Sequence, residues 1–295
     1  MRIDEIGADI DAIASDVALD LPANLGEREE TLHLLTFFAD LLDEAPLPAD
    51  VASDLRARIA DQRARLEAAT QRLVEEVRAD IHERSLDSHA FRALCNRYTA
   101  YKPDSPGHLH LDYEPLDILV GGLFSLDKPV EEAVRREKGM VHLEFSPASV
   151  VLEMADRLAP GANDLLVDLG AGLGHVAMLY HLLTGTPARG IEFQPTYVAR
   201  ARETAAELGL RGVRFEHSDV RRAGYGEGTA FYMFTPFHGQ ILRDVLGLLR
   251  AEAAKRPIRI CTYGPCTLAV ARVPWLRSTD VDAGHTSRLA IFAPR

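Results

Sequence analysis

A chain of 295 residues with 47% hydrophobic and 26% charged residues has the composition of an ordinary globular protein, which excludes disordered, collagen-like and disulfide-scaffold classes. The net charge of −11 is uneven: residues 1–90 hold 21 Asp and Glu against 9 Lys and Arg, and the remainder holds 23 against 24. No basic patch stands out beyond the small cluster Arg135, Arg136 and Lys138, so nucleic acid is not expected as a substrate.

Residues 1–90 read as all helix. Ile3, Ile6, Ile10, Ile13 and Val17 share one helical face, and a second helix over 27–42 turns Leu32, Leu35, Phe38, Leu41 and Leu42 inward before Pro46 and Pro48. A third, over 49–82, carries Leu55, Ile59, Leu66, Leu73, Val77 and Ile81 at steps of four and seven, and would be about 50 Å long. Its stripe must be covered either by the first two helices or by the same helix of a second subunit, which would make a homodimer. The acidic N-terminus has no apolar h-region, and no apolar run is long enough to span a bilayer. Cys95, Cys261 and Cys266 form neither an even set nor a C-x-x-C pair. A cytoplasmic protein with free thiols, no export signal, no membrane span and no metal site is expected.

Residues 91–145 read as a linker or lid. Residues 91–98 are helical in pattern, 101–107 form a breaker cluster, and His108, His110 and Asp112 then alternate. That spacing would suit a metal on one strand face, but a substrate-contacting loop is the preferred reading, with Tyr101, His108, His110 and Tyr113 as lid residues. Residues 116–126 are a short apolar segment. Ser146 followed by Pro147 is a helix-start signal, with Ser146 as N-cap and Val150, Val151, Met154 and Leu158 inward.

The chain is organised around residues 165–176. The apolar run Leu165, Leu166, Val167 ends in Asp168. Gly170, Gly172 and Gly174 follow at alternate positions, and a helical period then begins at Val176. This reads as strand, tight turn, helix, with the turn at a strand's carboxyl end where open α/β sheets bind ligands. One βα unit later the strand 188–192 ends in Glu192, and the strand 213–217 is followed by Asp219. Carboxylates at successive strand ends make a nucleoside cradle. Further strands over 228–237 and 258–264, a helix over 240–254 and a closing hairpin from 275–278 and 288–292 complete the inventory.

The run from Asp168 to Gly174, with Glu192 and Asp219, resembles the class I S-adenosylmethionine (SAM) dependent methyltransferases. The resemblance implies an α/β fold: a seven-stranded Rossmann-like methyltransferase sheet with helices on both faces over 146–295, preceded by an all-helical N-terminal region. It implies SAM as cofactor, with Asp168, Gly170, Gly172 and Gly174 as the first motif, Glu192 on the ribose and Asp219 on the adenine amino group. Phe193, Val220, Phe145 and Thr235 would lie beside the cofactor. The step Phe145, Ser146, Pro147 is similar to the one preceding the glycine motif in the group containing the non-SET nucleosomal lysine methyltransferases. Thr235, Pro236 and Phe237 resemble the acceptor motif of amino methyltransferases, with threonine in place of Asn or Asp; one hydroxyl cannot duplicate an amide's hydrogen bonds.

Thr235, His238 and Tyr101 are therefore the candidate catalytic residues, His238 as a general base for a hydroxyl acceptor, although a histidine capping the next helix accounts for it as well. The expected reaction moves a methyl group to a small-molecule or protein side chain, at N or O rather than C. A nicotinamide oxidoreductase is the rival, since its fingerprint is G-x-G-x-x-G with an acid ~20 residues on, but here the third glycine comes one place early. A non-catalytic SAM-binding protein acting through its acidic helices is the other alternative.

Overall fold

The computed structural model describes residues 3–44, 47–103, 108–278, 280 and 282–295. Pro46 and residues 104–107 of the breaker cluster lie outside the described residues, as does the side chain of Ile3. The chain divides into two compact units, Met1–Arg78 and Ala79–Arg295.

In the first unit α1 (Ile3–Ser15), α2 (Leu25–Glu44) and most of α3 (Ala49–Glu83) are joined by 3-10 turns at Val17–Asp20 and Pro22–Asn24. Asp16 stops α1 by accepting the Ala18 N–H at 2.9 Å, which leaves Val17 outside the helix and 74% exposed. It is not part of the apolar stripe that its spacing suggests. Ile6, Ile10, Leu35, Phe38 and Leu42 pack with Leu55, Ile59 and Leu66, so the first two helices themselves cover this part of the α3 stripe. Arg28 is buried among them and donates to Thr70 Oγ1 at 2.9 Å and Leu19 O at 2.7 Å.

The second unit opens with α4 (Ser88–Cys95), α5 (Pro115–Phe124) and α6 (Ala148–Leu158). Helix α4 packs on α7 (His175–Thr184) and buries Phe91 and Cys95. The boundary therefore lies before this helix, at 78/79 rather than at 90. A seven-stranded sheet follows: β1 (Leu166–Leu169), β2 (Ala188–Glu192), β3 (Val213–His217), β4 (Ala230–Phe234), β5 (Arg259–Tyr263), β6 (Leu276–Ser278) and β7 (Ala290–Pro294). Their spatial order is β3-β2-β1-β4-β5-β7-β6. Strands β1 to β5 are parallel, and β7 runs antiparallel between β5 and β6.

This order is that of the class I methyltransferase sheet. Helices α8 (Pro195–Glu207), α9 (Gly239–Ala253) and α10 (Cys266–Val270) complete the chain. Order reverses between β1 and β4, so right-handed crossovers to either side put helices on both faces and open a crevice at the β1 carboxyl end. The core runs through Val167, Leu169, Ile191, Phe231, Met233 and Ile260. No described helix is long and apolar enough to cross a membrane.

One helix start differs from expectation. Helix α6 begins at Ala148 after Pro147, and Ser146 does not cap it because its hydroxyl accepts the Tyr232 O–H at 2.8 Å. The α6 start is tied down instead by Asp117, which accepts the Ala148 N–H at 2.7 Å.

Phe38→Ala, which removes a fully buried ring from the first unit, should cost ~3–5 kcal/mol. Urea denaturation followed by helical circular dichroism should show a first transition at lower urea than in the wild type.

Candidate functional site

A cleft of about 890 Å³, counted with its open mouth, lies at the carboxyl ends of β1, β2 and β4. Its floor is the turn from Asp168 to Gly174. Gly170 adopts φ 89°, and a Cβ there would fall 2.3 Å from Pro236 Cβ, so only glycine lets the turn pass beneath the end of β4. The N–H groups of Gly170 and Ala171 both donate to Ile191 O, at 2.9 and 3.0 Å.

Glu192 joins the turn to β2. One carboxylate oxygen accepts the Gly172 N–H at 2.9 Å and the other the Gln194 N–H at 2.8 Å. Burial raises its pKa, and these N–H groups pull it back. The Phe193 N–H also acts on this carboxylate, which keeps acceptor capacity for a ligand hydroxyl. Asp168 beside it has no hydrogen-bond partner among the described residues and is buried. Burial first, and the Glu192 charge second, lift its pKa from 3.8 to about 8.

The wall opposite the turn is built from 131–146. Gln194 exchanges hydrogen bonds with the Val134 backbone, donating at 2.6 Å and accepting at 3.1 Å. The Val141 N–H donates to Pro236 O at 3.0 Å, and the His238 N–H to Gly139 O at 2.8 Å. Arg221 clamps Asp219 at 2.6 Å and Glu137 at 2.6 Å, which holds the Asp219 pKa below its ordinary value. At the inner end the Ser146 N–H donates to His175 Nε2 at 3.1 Å. That bond puts the ring proton on Nδ1, and burial lowers the His175 pKa to about 4.

Asp168, Gly170, Gly172, Glu192, Phe193, Asp219 and Val220 all line this cleft. Gly174 does not; it starts α7 with φ 82° and sits against Phe215. Phe145 is half-buried behind the wall, its ring centroid 5.2 Å from that of His175 and its carbonyl accepting the Tyr113 hydroxyl at 2.9 Å.

The three candidate catalytic side chains are elsewhere. Thr235 Oγ1 accepts the Cys266 N–H at 3.0 Å and donates to Tyr263 O at 3.4 Å. The residue sits at φ 43°, rare for a β-branched side chain, and the turn aims its hydroxyl at the β5 loop. His238 is exposed before α9 and does not line the cleft. The Tyr101 hydroxyl donates to Asp156 at 3.1 Å, and burial pushes its pKa upward.

The loop His108 to Tyr113 has no metal geometry. Both His110 ring nitrogens are taken, by Ser149 Oγ at 2.8 Å and Glu153 Oε2 at 2.6 Å. Phe237 lines the cleft but is buried in the core; Phe193 and Phe234 are half-buried aromatics of the lining, Phe234 with its ring 5.0 Å from that of Tyr263. The sequence reading did not assign site roles to Gln194, His175, Tyr232 or Arg136, all of which line the cleft. Gln194, two residues after Glu192, was the one readable signal among them.

The residues fit a nucleoside sulfonium. Glu192 offers paired acceptor positions, Asp168 an unpartnered buried carboxyl, and the glycine turn an open backbone. Fold and cleft together define the class: a class I SAM-dependent methyltransferase fold with a SAM-type cleft.

No family model matches the chain. Over 105 residues it is 31% identical to the 23S rRNA (uracil(1939)-C(5))-methyltransferase RlmD of Shewanella sp. (strain MR-4), covering 36% of this chain and 21% of the relative. The match thus spans about a fifth of that relative's length. Among solved structures, an RNA methyltransferase from Salinibacter ruber in complex with S-adenosyl-L-homocysteine is 21% identical, with a TM-score of 0.40, over 51% of this chain and 92% of that one. TrmN from Thermus thermophilus is 22% identical, with a TM-score of 0.37, over 50% and 48%.

The partial sequence match corrects two expectations. The relative is named as an rRNA methyltransferase rather than a nucleosomal lysine methyltransferase, and a low overall basicity does not set nucleic acid aside as a substrate.

Because folded Asp168 keeps its proton to about pH 8 while the unfolded side chain releases it near 3.8, the folded state binds the extra proton between those values. Its contribution to stability therefore falls as pH rises through that window. Asp168→Asn should remove this loss. Thermal melts should show the variant more stable than the wild type by ~1–3 kcal/mol above pH 8, and the gap should close below pH 4.

Proposed function

We propose that the protein is a SAM-dependent methyltransferase acting on RNA, at a nitrogen or oxygen of a nucleotide. The observation that carries the cofactor half is Glu192, which lines the cleft and is held by the Gly172 and Gln194 N–H groups, next to the unpartnered Asp168. When bound, SAM supplies an electrophilic methyl on a sulfonium. Glu192 would hold the ribose hydroxyls, Asp168 the cationic amino-acid end, and Val220 and Phe193 the base, all four lining the cleft. Asp219, already neutralised by Arg221, lines the base end as a further acceptor. Methyl displacement then depends chiefly on alignment and water exclusion, which can supply ~7–11 kcal/mol.

The RNA reading is supported by what the similar proteins are named for, and by the charge of residues 91–295, where 23 acidic residues meet 24 basic ones. The acceptor end of the cleft, with Phe234, Pro236, Val141 and Met140, suits a flat ring, and Phe234 is the aromatic that can stack on it.

The C5 chemistry in the name of the Shewanella protein does not carry over. Uracil C5 becomes a competent nucleophile when a thiolate adds at C6. Cys95, Cys261 and Cys266 are all buried and none lines the cleft. Burial pushes the thiols of Cys95 and Cys261 up to about 12 and raises that of Cys266. The acceptor is therefore an atom that already carries a lone pair.

Two measurements follow. Glu192→Ala should weaken SAM binding by ~1.5–3 kcal/mol, the scale of a charged hydrogen bond; an unchanged affinity in the folded variant would remove the ribose assignment. Cellular RNA incubated with the protein and methyl-labelled SAM, then digested to nucleosides, should yield label in N- or O-methylated nucleosides. Label in 5-methyluridine would contradict the acceptor-atom argument, and label confined to protein or small molecules would overturn the RNA reading.

A further inference from the structure

A second concavity, about 1700 Å³ with its open mouth, lies at the opposite end of the sheet, beside the amino ends of β1, β4 and β5. Register explains its shape. Leu166 pairs with Ala230, Ala230 with Arg259, and Ala293 with Arg277. The β5–β7 pairing of Ile260 with Phe292 puts Arg259 opposite Ala293.

Leu166, Ala230, Arg259, Ala293 and Arg277 thus form one row across five neighbouring strands, with side chains on one face. All five line the recess. The methyls of Ala230 and Ala293 leave a trough, and the two arginines stand on either side of Ala293, their Cα atoms about 10 Å apart from two strand spacings.

In a chain of net charge −11, neither arginine has a carboxylate within ion-pair distance among the described residues. Arg259 donates only to Leu158 O at 3.2 Å. Lys255 and Arg256 at the rim are, by contrast, paired with Glu252. Tyr180 lines the recess from α7 and is 1% exposed, yet its hydroxyl has no hydrogen-bond partner among the described residues. An unpartnered hydroxyl on the lining of the recess is free to bond a ligand there.

We propose that this recess is a second ligand site, separate from the cofactor cleft, for a small phosphate monoester. The phosphate bridges Arg259 and Arg277, its organic group lies over Ala230, Leu166 and Leu158, and the Tyr180 hydroxyl bonds a polar atom of the ester. A monoester dianion has three terminal oxygens and can engage two guanidinium forks at once, whereas a carboxylate's two oxygens are satisfied by one. This assignment does not depend on the methyltransferase reading.

Calorimetric titration of the full-length chain with phenyl phosphate and with inorganic phosphate tests it, since neither probe carries a nucleoside for the cleft. Phenyl phosphate should bind saturably and more tightly than inorganic phosphate. Arg259→Ala and Arg277→Ala, both at exposed positions, should each lower its affinity ~10–100-fold, and Tyr180→Phe ~2–10-fold. No saturable binding at millimolar concentration, or binding that both arginine variants leave intact, would overturn the site. Equal affinity for inorganic phosphate would overturn the ester assignment. A short single-stranded RNA that binds through the same arginines while phenyl phosphate does not would replace the small ester with a polynucleotide backbone.

Discussion

The second unit is arranged around one carboxylate. Glu192 at the end of β2 takes an N–H from the glycine turn, 20 residues earlier in sequence, and another from Gln194. These bonds fix the turn against the neighbouring strand and keep a buried acid ionisable by supplying donors that burial removes. Asp168, a few ångströms of sheet away, receives no such help and holds its proton to about pH 8. A cationic ligand would release that proton, so the cleft's electrostatics are completed by what it binds.

The wall of the cleft depends on the same region. Gln194 reaches across to Val134 while its own N–H serves Glu192, and Arg221 ties Asp219 to Glu137. Segment 131–146 has almost no regular structure, yet it is anchored at β2, β3 and β4. The proposed chemistry at the acceptor end relies on Phe234 and Pro236 rather than on an acid or base. Thr235 is occupied in holding the β4 exit to the β5 loop, and His238 faces away. A methyl displacement needs little proton traffic when the acceptor already has a lone pair, so the proposed reaction asks for no general base from His142 or Glu144, which line the cleft near Val141.

Much of this was legible in the sequence. The parallel strands were marked by apolar runs ending in Asp168 and Glu192, and the glycines at alternate positions announced the turn, because strand ends and positive φ leave local chemical signatures. Positions governed by tertiary contact were not legible. Ser146 reads as a helix cap but is claimed by Tyr232. Thr235 reads as an acceptor contact but is rotated away by a left-handed backbone. His108 and His110 read as lid residues of a substrate loop, but His110 is locked to α6. In each case the competing partner lies between 28 and 86 residues away, beyond the reach of local pattern. Charge misled for a related reason: a whole-chain balance of −11 averages an acidic helical unit with a near-neutral second unit.

The most direct test of the central claim is equilibrium titration of the purified chain with S-adenosylhomocysteine and, separately, with both nicotinamide dinucleotides, at pH 6.5 and pH 8.5. Binding of S-adenosylhomocysteine alone, tighter at the higher pH where Asp168 is ionised, is the predicted result. Binding of a dinucleotide with no binding of S-adenosylhomocysteine would contradict the account and make the second unit an oxidoreductase domain.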